Sequence, residues 1–246
     1  SRRGEKDDMA IEQGSSAMRI VIAGGGIAGL ALALALKQGL GEDFSVILAD
    51  PALSAAPRAD NRAYAVAAGG RAMLKTLGIW EGIAHTAQPM LEMIVSDSRT
   101  EDAVRPVFLT FDGEVEPGEP FAHMVENAAL VAALKAACGD AGVELRSAGV
   151  RRFSAEDASV EIIFADGTRC EAALLVAADG ARSKLRELAG IGWVGWDYGQ
   201  SGIVATIGHE RPHDGRAVEH FLPSGPFAIL PLADGGRLGH RSSIVW

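Results

Sequence analysis

"MRIVIAGGGIAGLALALALKQGLGEDFSVILAD", residues 18–50, decides the fold. It opens on a short β-rich apolar run. A glycine cluster follows, then small and leucine residues at helical spacing, a Gly-rich stop and a second β-rich run. That order predicts a βαβ unit. Within it Gly24, Gly26 and Gly29 spell G-x-G-x-x-G, a weak pattern in a chain with 30 glycines, but one that here follows a strand directly and opens a helix. In that setting Gly24 makes the tight turn, Gly26 lets the backbone approach a pyrophosphate, and Gly29 permits close helix–strand packing. Ile27 and Ala28 begin the helix, whose N–H groups and positive dipole end are offered to the phosphates. The second strand ends at Asp50, 26 residues after Gly24, where a carboxylate accepts hydrogen bonds from an adenosine ribose. The same carboxylate repels a ribose phosphate, which disfavours NADP(H) at this site and leaves FAD or NAD.

Around this unit, 246 residues at 48% apolar content are ample for one large domain or two small ones. Net charge is −9 with the lysines and arginines scattered, which argues against a nucleic-acid partner. No membrane span is expected, because the longest apolar run, residues 27–36, is far shorter than the roughly 20 residues a bilayer crossing needs. The first 17 residues are polar, lack a signal-peptide core and read as a disordered leader. Cys138 and Cys170 have neither C-x-x-C spacing nor nearby histidines, so they read as buried or inert thiols suited to a reducing cytoplasm.

Further along, Gly69 to Leu77 reads as a helix, Leu91 to Ser96 and Val104 to Phe111 as strands, and Asn127 to Cys138 as an amphipathic helix ended by Gly139. "FADGT", residues 164–168, is a hairpin turn, and the chain from Gly202 onward is strand-rich. "HERPH", residues 209–213, spells the zinc-protease pattern H-E-x-x-H. Pro212 inside such a helix would cost about 3 kcal/mol. A strand also runs straight into the stretch, so it reads as a loop and no metal site is expected. The element order predicts an α/β fold: a dinucleotide-binding domain with a second, sheet-based region.

"LLVAADGARSKLR", residues 174–186, is an apolar strand entering Asp179-Gly180 and a basic helix start. Here the chain resembles the flavin-dependent aromatic hydroxylases of the para-hydroxybenzoate hydroxylase type; Asp179, Gly180, Ser183 and Arg186 match that family's second fingerprint. Read from its residues alone, the stretch is also a strand–turn–helix capped by Asp179. "DNRAYAVAAGGRAMLKTLGIW", "VENAALVAAL", "HERPHDGRAVEHFLPSGPFAILPL" and "SSIVW" are similar to the ubiquinone-biosynthesis branch, the 2-octaprenyl-phenol hydroxylases, from Met18 to Trp246.

The resemblance implies a Rossmann-like FAD-binding domain over residues 18–90 and 124–192, interleaved with a substrate-side β-sheet region over 91–123 and 193–246. It places Arg62 and the helix start at Asn127 toward the flavin, and Val150 on the strand beside the adenine. By residue type alone Arg62 also reads as a surface charge and Asn127 as an N-cap, and Val150 reads first as core. Phe221, Pro223 and Pro231 are expected to wall the substrate side. The implied reaction uses NAD(P)H as a transient reductant, FAD and O₂, and passes through a flavin hydroperoxide to hydroxylate the ring of a polyprenylated phenol. The chemistry is then centred on the flavin, and no nucleophile–base pair is needed. Such a cytoplasmic protein, with an apolar substrate, is expected to make peripheral contact with the inner membrane or a biosynthetic complex. The family's third fingerprint, a late G-D pair, is expected beyond "SSIVW". Gly139-Asp140 reads as a helix C-terminal turn and cannot replace it, so the chain reads as C-terminally truncated, inactive alone and weak in FAD retention. Two alternatives stay open: another flavoenzyme of this fold (epoxidase, halogenase, reductase), or a non-catalytic flavin-binding subunit.

Overall fold

A computed structural model describes residues 18–55, 60–112 and 114–246; the expected leader, 1–17, lies outside them. In chain order the elements are β1 (Met18–Ala23), α1 (Ile27–Leu40), β2 (Phe44–Ala49), β3 (Ala63–Ala67), α2 (Ala68–Thr76), α3 (Trp80–Ile83), β4 (Gln88–Met90), β5 (Glu92–Asp97), β6 (Val107–Asp112), β7 (Glu114–Glu116), β8 (Glu119–Pro120), β9 (Ala122–Glu126) and α4 (Asn127–Asp140). They continue with β10 (Glu144–Arg146), β11 (Val150–Ala155), β12 (Val160–Phe164), β13 (Arg169–Ala172), β14 (Leu174–Ala177), α5 (Lys184–Leu188), β15 (Val204–His209), β16 (Arg216–Leu222), β17 (Gly225–Leu232) and β18 (His240–Val245). The described residues divide into two compact units, those within Ser1–Ala56 and Leu134–Trp193, and those within Pro57–Ala133 and Val194–Trp246.

In the first unit Ile20 to Ala23 are all buried, as befits a strand flanked on both edges in a parallel sheet. The sheet runs β10-β2-β1-β14, every pair parallel. Its register sets Ala23 opposite both Ala49 and Ala177. The residues that follow these three strands therefore emerge together at the carboxyl edge, where open α/β sheets bind ligands. A three-stranded antiparallel sheet, β11-β12-β13, closes over a core of Val21, Ile47, Ala49, Ala148, Ile162, Phe164 and Ala172. Burying a side chain such as Phe164 or Ile162 completely contributes about 1.5–3 kcal/mol.

The helix starting at Asn127 runs on through Gly139 to Asp140, past its expected stop. Gly142, at φ +80°, ends it. There the Val143 N–H donates to Cys138 O (2.9 Å) and the Gly142 N–H to Gly139 O (3.0 Å), a wrap that satisfies the last carbonyls. Leu134 and Cys138 are fully buried, and their anchorage outweighs the roughly 1 kcal/mol a glycine costs in a helix.

The second unit holds a six-stranded sheet, β15-β18-β17-β16-β5-β6, antiparallel except where β5 lies parallel to β16. One face packs on Met90, Ala122 and Met124 through Ala217 and Leu232. β3 and β4 both pair with β9, and residues 60–90 and 122–133 fall in the same unit as this sheet. Among the described residues no helix is long and apolar enough to cross a membrane.

Candidate functional site

At the carboxyl edge of the parallel sheet the Gly24 N–H donates to Ala49 O (3.0 Å), and the Ala178 N–H to Ala23 O (2.7 Å). These bonds pin the turn between its neighbours. Gly24 has φ +121°, and a Cβ there would overlap the carbonyl of Ala178; a Cβ on Gly29 would overlap the carbonyl of Gly24. Only glycine permits this packing. Gly26 differs: it is the N-cap of α1, no side chain caps the helix, and a Cβ on it would meet no heavy atom within 4 Å. The first intrahelical bond runs from the Leu30 N–H to Gly26 O (2.9 Å), so the N–H groups of Ile27, Ala28 and Gly29 have no acceptor within the helix. An uncapped helix start facing open space and flanked by glycine fits a diphosphate.

Asp50 sits beside this turn, half-buried. Its Oδ2 accepts from the Gly25 N–H and its Oδ1 from the Ala52 N–H, both at 2.7 Å. The carboxylate is thereby held in place with lone pairs left for a ribose hydroxyl. The group these residues fit is a dinucleotide joined by a diphosphate.

Asp179 and Gly180 leave the same edge, with Gly180 at φ +86°. The Asp179 carboxylate is engaged at the start of the helix that follows it, accepting from Ser183 Oγ (2.5 Å), the Lys184 N–H (2.9 Å) and the Leu185 N–H (3.3 Å). Ser183 in turn accepts from the Arg186 N–H (3.0 Å) as N-cap of α5. The side chain of Asp179 is thus a cap as well as a member of the fingerprint. Val150 opens β11 and packs against the core around Phe164. Burial pushes the Cys138 thiol up to about 11 and raises Cys170 as well, which keeps both protonated and unreactive at neutral pH.

Arg62 and Asn127 lie in the second unit. They meet through a residue the sequence reading missed, Asp60. Its Oδ1 accepts from Arg62 N (3.0 Å) and Nε (2.9 Å), and its Oδ2 from Arg62 Nη2 (2.7 Å) and Asn127 Nδ2 (2.6 Å). Hydrogen bonds from the Arg62 guanidinium hold the Asp60 carboxyl well below the usual carboxylate range, and the same pairing raises Arg62 above its ordinary value. The only signal in the sequence was the D-x-R spacing.

The three expected wall residues do not share a surface. Cα partners Val218↔Ile229 in β16 and β17 share a face, so Pro231 projects with Val218, while Phe221, three residues on, projects to the opposite face. Pro223 sits in the turn between the strands. Phe221 is on the core-bearing face and is 47% exposed; Pro231 is buried. The register thus puts Phe221 and Pro231 on opposite faces of the same sheet.

"HERPH" connects β15 to β16. The His213 Nδ1 accepts from the Gly215 N–H (3.1 Å) and its Nε2 donates to Leu232 O (2.9 Å), so both ring nitrogens hold the loop. His209 bonds to Arg211 O (2.6 Å) and Ser242 Oγ (2.9 Å). With Ile207, Val218 and Ile229 the loop lines an open cavity of about 560 Å³. Among the described residues no cluster of three or more His, Cys, Asp or Glu could hold a metal ion.

Residues 17–237 match the family model described as FAD binding domain. The chain is 39% identical over 232 residues to ubiquinone hydroxylase UbiL of Rhodospirillum rubrum, covering 92% of this chain and 51% of that protein. It is 33% identical to 3-demethoxyubiquinol 3-hydroxylase of Escherichia coli K12 (92% and 56%) and 31% to the human mitochondrial ubiquinone biosynthesis monooxygenase COQ6 (92% and 50%). The chain thus spans about half the length of the curated relatives it matches. Among solved structures, Klebsiella pneumoniae HpxO complexed with FAD superposes with a TM-score of 0.67 at 20% identity over 93% of this chain and 56% of that one. The 2-methyl-3-hydroxypyridine-5-carboxylic acid oxygenase gives 0.66 at 21% over 94% and 58%. These two likenesses bear on the fold.

Proposed function

The chain belongs to the FAD-binding-domain family, and from that premise we propose that it is the cofactor-binding half of a monooxygenase that hydroxylates the aromatic ring of a polyprenylated phenol in ubiquinone biosynthesis. The observation that carries the cofactor part is the uncapped start of α1 behind Gly24, Gly26 and Gly29, with Asp50 fixed beside it. The substrate class rests on likeness to the ubiquinone hydroxylases.

When bound, FAD would supply the redox chemistry, taking reducing equivalents from NAD(P)H and passing one atom of O₂ to the ring. This chain's residues have the tasks of binding and orientation. The N–H groups of Ile27, Ala28 and Gly29 would hold the diphosphate, Gly26 leaves the space it needs, and Asp50 would accept from the adenosine ribose. Arg62 and Asn127 are assigned to the same cofactor. The backbone of Asp179 and Gly180 remains available to it, since the Asp179 side chain caps α5. Of the three wall residues, the substrate-side role is kept for Phe221, whose exposed ring would exclude water from the reacting ring. An apolar substrate favours peripheral contact with a membrane surface or a biosynthetic complex.

The test is NAD(P)H oxidation by the full-length protein with and without a polyprenyl phenol, with product analysis. Phenol-stimulated oxidation yielding a hydroxylated ring supports the reading. An epoxide, a halogenated ring, or no stimulation contradicts it. Within that assay Phe221→Ala should divert NAD(P)H use from hydroxylation to hydrogen peroxide; unchanged coupling removes Phe221 from the substrate side.

A further inference from the structure

We propose that Asp60 is a positioning residue, whose carboxylate clamps the Arg62 guanidinium and the Asn127 carboxamide into one charge-neutral hydrogen-bonding group for the flavin ring. The proposal rests on the reading that gives Arg62 and Asn127 to FAD.

The Arg62 side chain is 61% exposed, so burial alone holds it weakly. The fork fixes it. Nε and Nη2 grip the two oxygens of Asp60 at 2.9 and 2.7 Å, the bidentate geometry that fixes a planar guanidinium in orientation. The second oxygen also takes Asn127 Nδ2 at 2.6 Å, and the Asn127 N–H donates to Arg62 O at 2.9 Å. Arg62 and the first residue of α4 are therefore locked to each other through one carboxylate. Among the described residues no group takes up Arg62 Nη1, so its hydrogens remain available to a ligand.

Charge decides which part of a cofactor such a group suits. Guanidinium and carboxylate cancel, so what is presented is a set of oriented N–H donors without net charge. That is matched to a neutral acceptor, the carbonyls of an isoalloxazine ring, and poorly matched to a diphosphate, which calls for uncompensated positive charge.

The experiment measures dissociation constants of FAD, by flavin fluorescence, and of ADP, which lacks the ring, in wild type, Asp60→Asn, Arg62→Ala and the double variant. Asp60→Asn and Arg62→Ala should each weaken FAD by about tenfold. ADP should stay within about twofold, which also shows that the variants are folded. The double variant should be no weaker than Arg62→Ala, because Asp60 acts through Arg62. If Arg62→Ala leaves FAD unchanged, the cofactor reading of Arg62 fails and the proposal with it. If Arg62→Ala weakens FAD but Asp60→Asn does not, or tightens it, or if the two losses add, the reading stands and the positioning role of Asp60 is overturned. Equal loss of ADP affinity assigns the group to the diphosphate and overturns the match to the ring. Should Asp60→Asn fail to fold, Arg62→Lys serves: it keeps the charge and loses the fork, so wild-type FAD affinity in that variant rejects the proposal.

Discussion

Replacing Gly26 with alanine should separate cofactor binding from stability. Gly26 has φ −77° and ψ 179°, extended backbone open to any residue, and an added Cβ would meet nothing within 4 Å. Without ligand the variant is unstrained. Lower chain entropy in the unfolded state favours it by about 0.4–1 kcal/mol. Alanine is a poorer N-cap than glycine by a similar amount, so unfolding of the ligand-free chain in urea should shift by less than about 0.5 kcal/mol. With ligand the same Cβ stands where a diphosphate approaches the backbone. Forcing a methyl group into such a contact costs about 1–3 kcal/mol, which raises the dissociation constant for FAD and for ADP roughly 5- to 150-fold. Gly24→Ala is the control, because its Cβ would overlap the Ala178 carbonyl at a positive φ and should destabilise the ligand-free chain itself by about 1–3 kcal/mol. A Gly26→Ala chain that binds FAD with the wild-type constant would refute the assignment of this turn to the diphosphate.

Asp50→Ala removes the acceptor of both the Gly25 and Ala52 N–H groups and should lower stability by about 1–3 kcal/mol while weakening FAD and ADP together; equal ligand affinity with lowered stability would make Asp50 purely structural. His213→Ala should lower stability by about 1–3 kcal/mol by freeing the Gly215 N–H and Leu232 carbonyl, and zinc should leave the unfolding midpoint of the wild type in place; a zinc-dependent rise contradicts the loop assignment. Burial lowers the pKa of His123 below its ordinary 6.5, so between its folded value and 6.5 the unfolded chain binds more protons and stability falls with falling pH. His123→Gln should flatten that dependence in urea titrations across the window, and an unchanged slope rules out His123 as its source.

Local features were readable because their causes are local. Gly24 to Gly29 and Asp50 lie within one βαβ unit, and the hydrogen bonds that fix them follow from strand order alone. The "HERPH" loop was readable because Pro212 forbids the helix its pattern demands. What escaped depends on partners distant in sequence. The Asp60–Asn127 bond spans 67 positions. The opposite facing of Phe221 and Pro231 follows from the β16–β17 register, which composition does not reveal. Gly139 reads as a helix stop until Leu134 and Cys138 are seen buried beside it. Asp179 satisfied two descriptions at once, fingerprint and cap, and only its three hydrogen bonds show where its side chain goes.

The most direct measurement is an equilibrium titration of this chain with FAD, followed by flavin fluorescence, with ADP as competitor. A single weak but saturable site from which ADP displaces the flavin, and which Gly26→Ala weakens further, is the predicted result. Fluorescence that never saturates, or flavin binding indifferent to ADP, would contradict the claim that the turn at Gly24 to Gly29 is an FAD site.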